Sequence, residues 1–194
     1  MQSPQLENGR KTALLIFRIL GSPAYVTILE QRPDQSWRLI NTYPLDTYGL
    51  ATTITFPALI RPDEHQIMIS HRPLGHGSNY WHYDTLVVRI YEGRPEIVFD
   101  EVEELHFDFP EGRSSAAQQE SAHFYVIPGD DDSQSRSEIL EEQVIQQHTQ
   151  TVRRWRLFSW DSVDGRFWPQ PLSKEDAFGL LKVNKLTYKR VRIK

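Results

Sequence analysis

Three stretches of the chain share one plan: an apolar-aromatic run, a short charged turn, and a second aromatic run. They are YVTILEQ-RPDQS-WRLINTY (25–43), DTLVVRIY-EGRP-EIVFDEV (84–102) and RRWRLFSW-DSVDG-RFWPQ (153–170). β-Branched and aromatic residues suit a pleated, half-buried surface, and Pro, Gly, Asp and Ser suit a tight reversal, so each stretch reads as a β-hairpin. The pattern predicts a mainly β fold, an antiparallel meander or sandwich, with the hairpins as candidate propeller-like blades. The hairpins begin near residues 25, 85 and 155, so no fixed period marks a solenoid or a regular propeller.

Further short runs fill the intervals. TALLIFRIL (12–20) is nearly all apolar, as suits a strand buried on both faces. TTITF (52–56), HQIMISH (65–71) and HFYVI (123–127) read as strands, and LTYKRVRIK (186–194) as a terminal one. Between 96 and 109 the alternation changes phase, which predicts a bulge or a two-sided strand near Glu103–Glu104. EILEEQVIQQHTQTV (138–152) is open to two readings. Ser135 with Glu138 fits a capping box and Leu140, Val144 and His148 fit a helix face, whereas the β-rich context fits a long strand. SKEDAFGLLK (173–182) predicts the one short C-terminal helix, with Ser173 as cap and Glu175 and Asp176 in the first turn. The organisation expected is a disordered N-terminus over 1–10 and a single β-rich domain over 11–194, with loops at 111–122 and 129–137.

Composition narrows the chemistry. A formal net charge of -4 argues against a nucleic-acid binder held by phosphate contacts. Segment 96–142 holds 14 acidic residues and only Arg113 and Arg136 as basic ones, whereas 153–194 holds 11 basic and 4 acidic. Two such regions neutralise one another across a fold or present a polar partner surface. No Cys is present, which rules out disulfides, thiolate metal sites and Cys nucleophiles. The first residues, MQSPQLENGRKT, lack a basic-then-apolar signal, and no apolar run approaches the ~18–20 residues of a membrane span. A cytoplasmic chain and a mature exported chain are both compatible with this.

The densest unusual stretch is ISHRPLGHGSNYWHYD (69–84). Gly75 and Gly77 flank His76, and Tyr80, Trp81 and Tyr83 follow. A glycine-rich loop beside aromatics offers large contact area at low entropy cost, so His76, Tyr80, Trp81 and Tyr83 are candidate anchors for a protein partner or a small-molecule ligand. The bland reading is a hairpin turn with aromatics packed at its base. If His71 pairs with Tyr80 across this turn, His65, His71, His82 and Asp84 share one sheet face, with His71 diagonal to His82. Such a cluster is a candidate metal site or His–Asp dyad, with His71, His82 and Asp84 as its members. Imidazoles mixed with Ile67, Ile69, Leu86 and Val88 are equally the makings of a structural patch.

Other motifs fail on spacing. GHGSN (75–79) lacks the G-x-S-x-G order of a nucleophile elbow, and no phosphate-cradling or dinucleotide glycine pattern occurs. GDDDSQS (129–135) has adjacent carboxylates where a calcium loop needs alternate ones. Paired acids in DEVEE (100–104) and the basic tail KRVRIK (189–194) suit solvated strand faces. No cofactor is expected.

At GHGSN-YWHYDTLVVRIYEGRPEIVFD and RRWRLFSWDSVDGRFWP the chain resembles exported bacterial β-repeat proteins of the FG-GAP/VCBS type. The resemblance covers about half the chain and lacks the family's calcium-type loop and strict repeat. It implies an extracytoplasmic binding or scaffolding module without catalysis. The expectation is therefore a non-enzymatic interaction or ligand-binding module presenting the aromatic Gly-rich loop. The alternative is a metal-dependent hydrolase using the His/Asp cluster on strands 65–71 and 80–90.

Overall fold

A computed structural model describes residues 12–18, 24–45, 53–71, 80–92, 94–107, 118–129, 136–147 and 150–188. Strands β1 (Thr12–Arg18), β2 (Ala24–Gln31) and β3 (Trp37–Leu45) form a three-stranded antiparallel sheet. Eight more strands form a second sheet in which each pairs with its neighbours in sequence. They are β4 (Thr53–Thr55), β5 (Ile67–His71), β6 (Tyr80–Tyr91), β7 (Arg94–Phe107), β8 (Gln118–Ile127), β9 (Glu138–Gln147), β10 (Gln150–Asp161) and β11 (Arg166–Leu172). The helix α1 (Lys174–Val183) follows. The mainly β, antiparallel fold with one short C-terminal helix is thus as expected. All three predicted hairpins form, as β2–β3, β6–β7 and β10–β11. They do not stand apart as blades, because the second and third belong to one continuous sheet.

Several local expectations change. The described residues of 138–152 are strand: β9 occupies Glu138–Gln147 and β10 begins at Gln150. Strand β8 begins at Gln118, so the predicted loop 111–122 ends in strand; its pairing with β9 from Gln118 onward accounts for this. Leu186–Tyr188 is not strand, because α1 closes by reversing the chain. Lys185 takes φ 55°, and its N–H and that of Leu186 donate to Lys182 O (3.2 Å) and Leu181 O (2.9 Å). This brings Tyr188 back against Trp155, ring centroids 6.1 Å apart. Residues 1–10, 130–135 and 189–194 lie outside the described set.

Strand β7 explains how one sheet makes a core. It pairs with β6 from Arg94 to Phe107, but with β8 only from Glu104 to Phe107. Its register against β6 skips Val98 and Glu103, so it carries two bulges, one of them at the predicted place. Bulges bend a strand and let it pass from one layer to another. The first half of β7 accordingly crosses the inner face of β8–β11. Phe99 meets Phe158, Phe124 and Phe167 edge to face, with centroids 4.9, 5.4 and 6.4 Å away. The Glu103 bulge is tied down by Ser70 and by Thr85 Oγ1, which donates to its carboxylate at 3.1 Å.

Buried side chains divide into three groups that follow this layering. Val87, Val98, Phe99, Ile139, Phe158 and Phe167 pack between the two halves of the large sheet, with Leu59 and Ile60 closing one end. The closing connection is pinned by Gln66, whose Oε1 accepts from Leu59 N (2.7 Å) and Ile60 N (3.2 Å). Ile67, Ile69, Val88 and Ile90 meet Ile28 of the three-stranded sheet. On the far side Tyr125, Leu140 and Trp155 are covered by Ala177 and Leu181 of α1. Strand alternation sorts β9 accordingly: Ile139 faces the middle and Leu140 the helix. The middle layer also holds charge. Arg156 binds fully buried Glu141 and, at 2.8 Å, Glu101 from β7, while Gln143 binds Glu120 and Arg154.

Candidate functional site

The aromatic-loop anchors are only partly placed. His76 and the loop 72–79 lie outside the described residues. Tyr80 and Trp81 open β6 in register with Phe107 and His106. Tyr83 stands opposite Glu104 beside the second bulge and is half-buried, so it is less open than a contact anchor should be.

The register predicted for the His/Asp cluster is corrected. His71 pairs with Asp84, not with Tyr80; Ile69 pairs with Leu86 and Ile67 with Val88. Tyr80 lies on the part of β6 that runs past the end of β5, where it pairs with Phe107. The shift is four residues, an even number, so His71, His82 and Asp84 keep positions of one parity and His71 stays diagonal to His82. His65 precedes β5 and leaves the row.

Within this cluster His82 Nε2 lies 3.2 Å from Asp84 Oδ2, both side chains being mostly buried. Desolvation pushes Asp84 up to about 7, with the negative charge of Asp100 as the second cause. Desolvation lowers His82, and Asp100 pulls it partly back. The contact therefore joins an imidazole that burial holds toward neutrality to a carboxyl that burial holds toward protonation. Burial thus disfavours the charged form of both partners, which weakens the contact as an ion pair. Asp100 is also shifted upward by desolvation, with His82 pulling it partly back. Among the described residues no three His, Asp or Glu side chains converge as metal ligands.

A second site was not singled out from sequence. Where β7 passes β11, a cavity of about 420 Å³ is lined by Ile97, Val98, Phe99, Asp100 and Glu101 on one side and Arg166, Phe167, Trp168 and Pro169 on the other, over Phe158. Its size suits a bound ligand, and it joins an apolar floor to a few polar groups. Phe99, Phe158 and Phe167 are buried and form the floor. Arg166 and Trp168 form the rim. The Arg166 guanidinium lies 5.7 Å from the Trp168 ring centroid, and Trp168 Nε1 donates to Asp164 Oδ2 at 3.0 Å. Trp168 stays 46% exposed.

The turn before β11 aims these residues. Asp161 Oδ1 accepts from Val163 N (2.7 Å) and Asp164 N (3.3 Å), and Gly165 takes φ 66°, a conformation that favours glycine. The signal in the sequence was DSVDGRFWP itself, in which an Asx turn and a Gly deliver Arg, Trp and Pro to a strand at the sheet's end. What could not be read was that β7 would cross over it. No family model, curated protein or solved structure matches this chain.

Proposed function

We propose that the chain is a non-enzymatic binding module whose ligand seats in the cavity between β7 and β11. The observation that carries this is the joining of a buried phenylalanine floor to an exposed Arg166–Trp168 rim in one concavity. Exposed Trp and Arg beside a desolvated apolar floor are the residue types that dominate binding energy. Indole-3-acetate and phenylpropionate, small aromatic acids that match the floor and the Arg166 cation, are suitable first probes. Titrated to ~10 mM, weaker than the ~1 mM affinity that weak ligands reach, they should shift backbone amide NMR signals of 97–101 and 166–168 and not those of Trp168→Ala. Shifts confined to other strands, or none, would refute the site.

A second reading, a metal-dependent hydrolase using His71, His82 and Asp84, has the 3.2 Å His82–Asp84 contact in its favour. Calorimetric titration with Zn(II) separates it from the first. Saturable heat that disappears in His82→Ala supports a metal centre, and its absence sinks that reading.

A further inference from the structure

We propose that the ligand of this cavity is an extended peptide segment of a partner protein, which adds as a strand along the edge of β7 that no described strand occupies. This rests on the reading that the β7–β11 cavity is the binding site.

The cavity is lined by residues in unbroken succession, 97 to 101 on one wall and 166 to 169 on the other. Successive side chains of a strand point to opposite faces, so a pocket against a face touches every second residue. A cavity that touches every residue runs along an edge, where the backbone N–H and C=O groups lie. The bulge at Val98 accounts for one break in alternation, but not for Asp100 and Glu101 as well. One edge of β7 is occupied by β6, with Ile97 opposite Val88 and Glu101 opposite Thr85. On the other edge β8 pairs only from Glu104 onward. Among the described residues, therefore, no strand pairs with the cavity-facing edge of 94–103. Unsatisfied backbone groups along an edge are met by another strand better than by a compact small molecule.

The opposite wall is built differently. Strand β11 ends the sheet, paired with β10 alone. It carries Pro169 and Pro171, two residues of one parity. Proline is admitted to a sheet where its nitrogen faces away from the neighbouring strand, so the outward side of β11 lacks donors at both places. An incoming segment gains its ladder from β7, while β11 supplies side chains. The aromatic floor takes a Phe or large aliphatic residue. Arg166 has no ion pair among the described residues and favours an acidic one on the β11 side, away from the Asp100 and Glu101 carboxylates of the β7 wall. The partner segment is thus extended, free of Pro, and carries an apolar residue with an acidic residue close by.

The test uses a blocked peptide of about seven residues, Ac-TVDFTVT-NH2, and the same peptide N-methylated at alternate amides. The two share side chains and differ in their capacity to form a ladder. On the full chain, the unmethylated peptide should saturate between ~1 μM and ~1 mM, slow hydrogen exchange at alternate amides of 97–101, and lose about tenfold in affinity on methylation. Trp168→Ala should weaken it about tenfold as well. Equal binding of both peptides, or shifts from the small aromatic acids with no peptide binding, would overturn strand addition and leave the cavity reading standing. Failure of peptides and small acids alike would overturn both.

Discussion

Replacing Arg156 by Met tests the inner face of the large sheet most directly. The guanidinium contacts Glu141 from β9 through two nitrogens, one of them at 2.8 Å, and Glu101 from β7 at 2.8 Å. The Glu141 side chain is 0% exposed, whereas Glu101 keeps 26% exposure. Removing the cation leaves one dry carboxylate without compensation, at a cost of about 3–5 kcal/mol, plus a smaller loss of up to ~1 kcal/mol at the partly solvated Glu101. A domain of ordinary stability has about 5–15 kcal/mol in total, so Arg156→Met should be folded but fragile. Guanidinium unfolding followed by Trp fluorescence reads the difference. Desolvation pushes the Glu101 carboxyl up and Arg156 pulls it back. The carboxyl already stands above its ordinary value and rises further without Arg156, and a carboxyl raised in the folded state contributes stability at low pH that is lost as pH rises through its folded value. The penalty should therefore shrink on acidification. The double variant Arg156→Met/Glu141→Leu removes both buried charges and should recover most of the loss, since apolar replacement of a buried pair is often neutral or stabilising. A single-variant cost below ~1 kcal/mol would show that Glu141 is not dry. A double variant no better than the single would assign the loss to guanidinium packing on Phe158, 5.0 Å from that ring.

Three further outcomes follow from the structure. Asp84, raised to about 7 by burial and then by Asp100, contributes stability that is full below its ordinary value of 3.8 and is lost as pH rises through about 7. Asp84→Asn should remove that part of the decline and gain on the parent at alkaline pH; parallel stability–pH curves would contradict it, the opposite contribution of His82 being present in both proteins. Ser173→Ala removes the cap whose Oγ accepts from Asp176 N at 3.1 Å, and should cost about 1 kcal/mol in chemical denaturation, with no change meaning that α1 is held by packing alone. Phe158→Ala, at a position 1% exposed, should cost about 3–5 kcal/mol and leave the far-UV spectrum β-like, and a cost under ~1 kcal/mol would place the ring outside the core.

Strand identity was legible where one face of a strand is apolar. Hairpin β6–β7 was legible on other grounds: Thr85, Leu86, Val87 and Val88 are buried on both faces, and their β-branched run ends at a charged turn. The ambiguity at 138–152 has an equally plain cause. Leu140 and Val144 are four residues apart, a spacing that satisfies a helix face and a strand face alike. The charged residues Glu141 and Glu142 between them read as solvent-facing, yet both are buried because Arg156 and Arg153 reach them across β10. No local pattern announces a partner that lies 11 or 15 residues away. The His–Asp row was readable because parity survives an even shift of register, whereas its pairing was not, since β6 runs four residues past the end of β5.

The two bulges in β7 connect the core to the proposed site. An unbent β7 would continue its ladder with β8 beyond Glu104, and its first half would not cross over to bring Phe99 against Phe158 and Phe167. Bending at Val98 and Glu103 does two things at once. It folds the meander over itself so that the phenylalanines close a core, and it peels 94–103 away from β8 so that a ladder is left open. An open edge is ordinarily a hazard, and the sheet's other end is guarded by Pro169 and Pro171. With the facing edge of β11 blocked by proline, a strand entering this cavity pairs on the β7 side. The same bend that stabilises the fold thus defines where a partner chain would be read, and the phase change between 96 and 109 is its trace in the sequence.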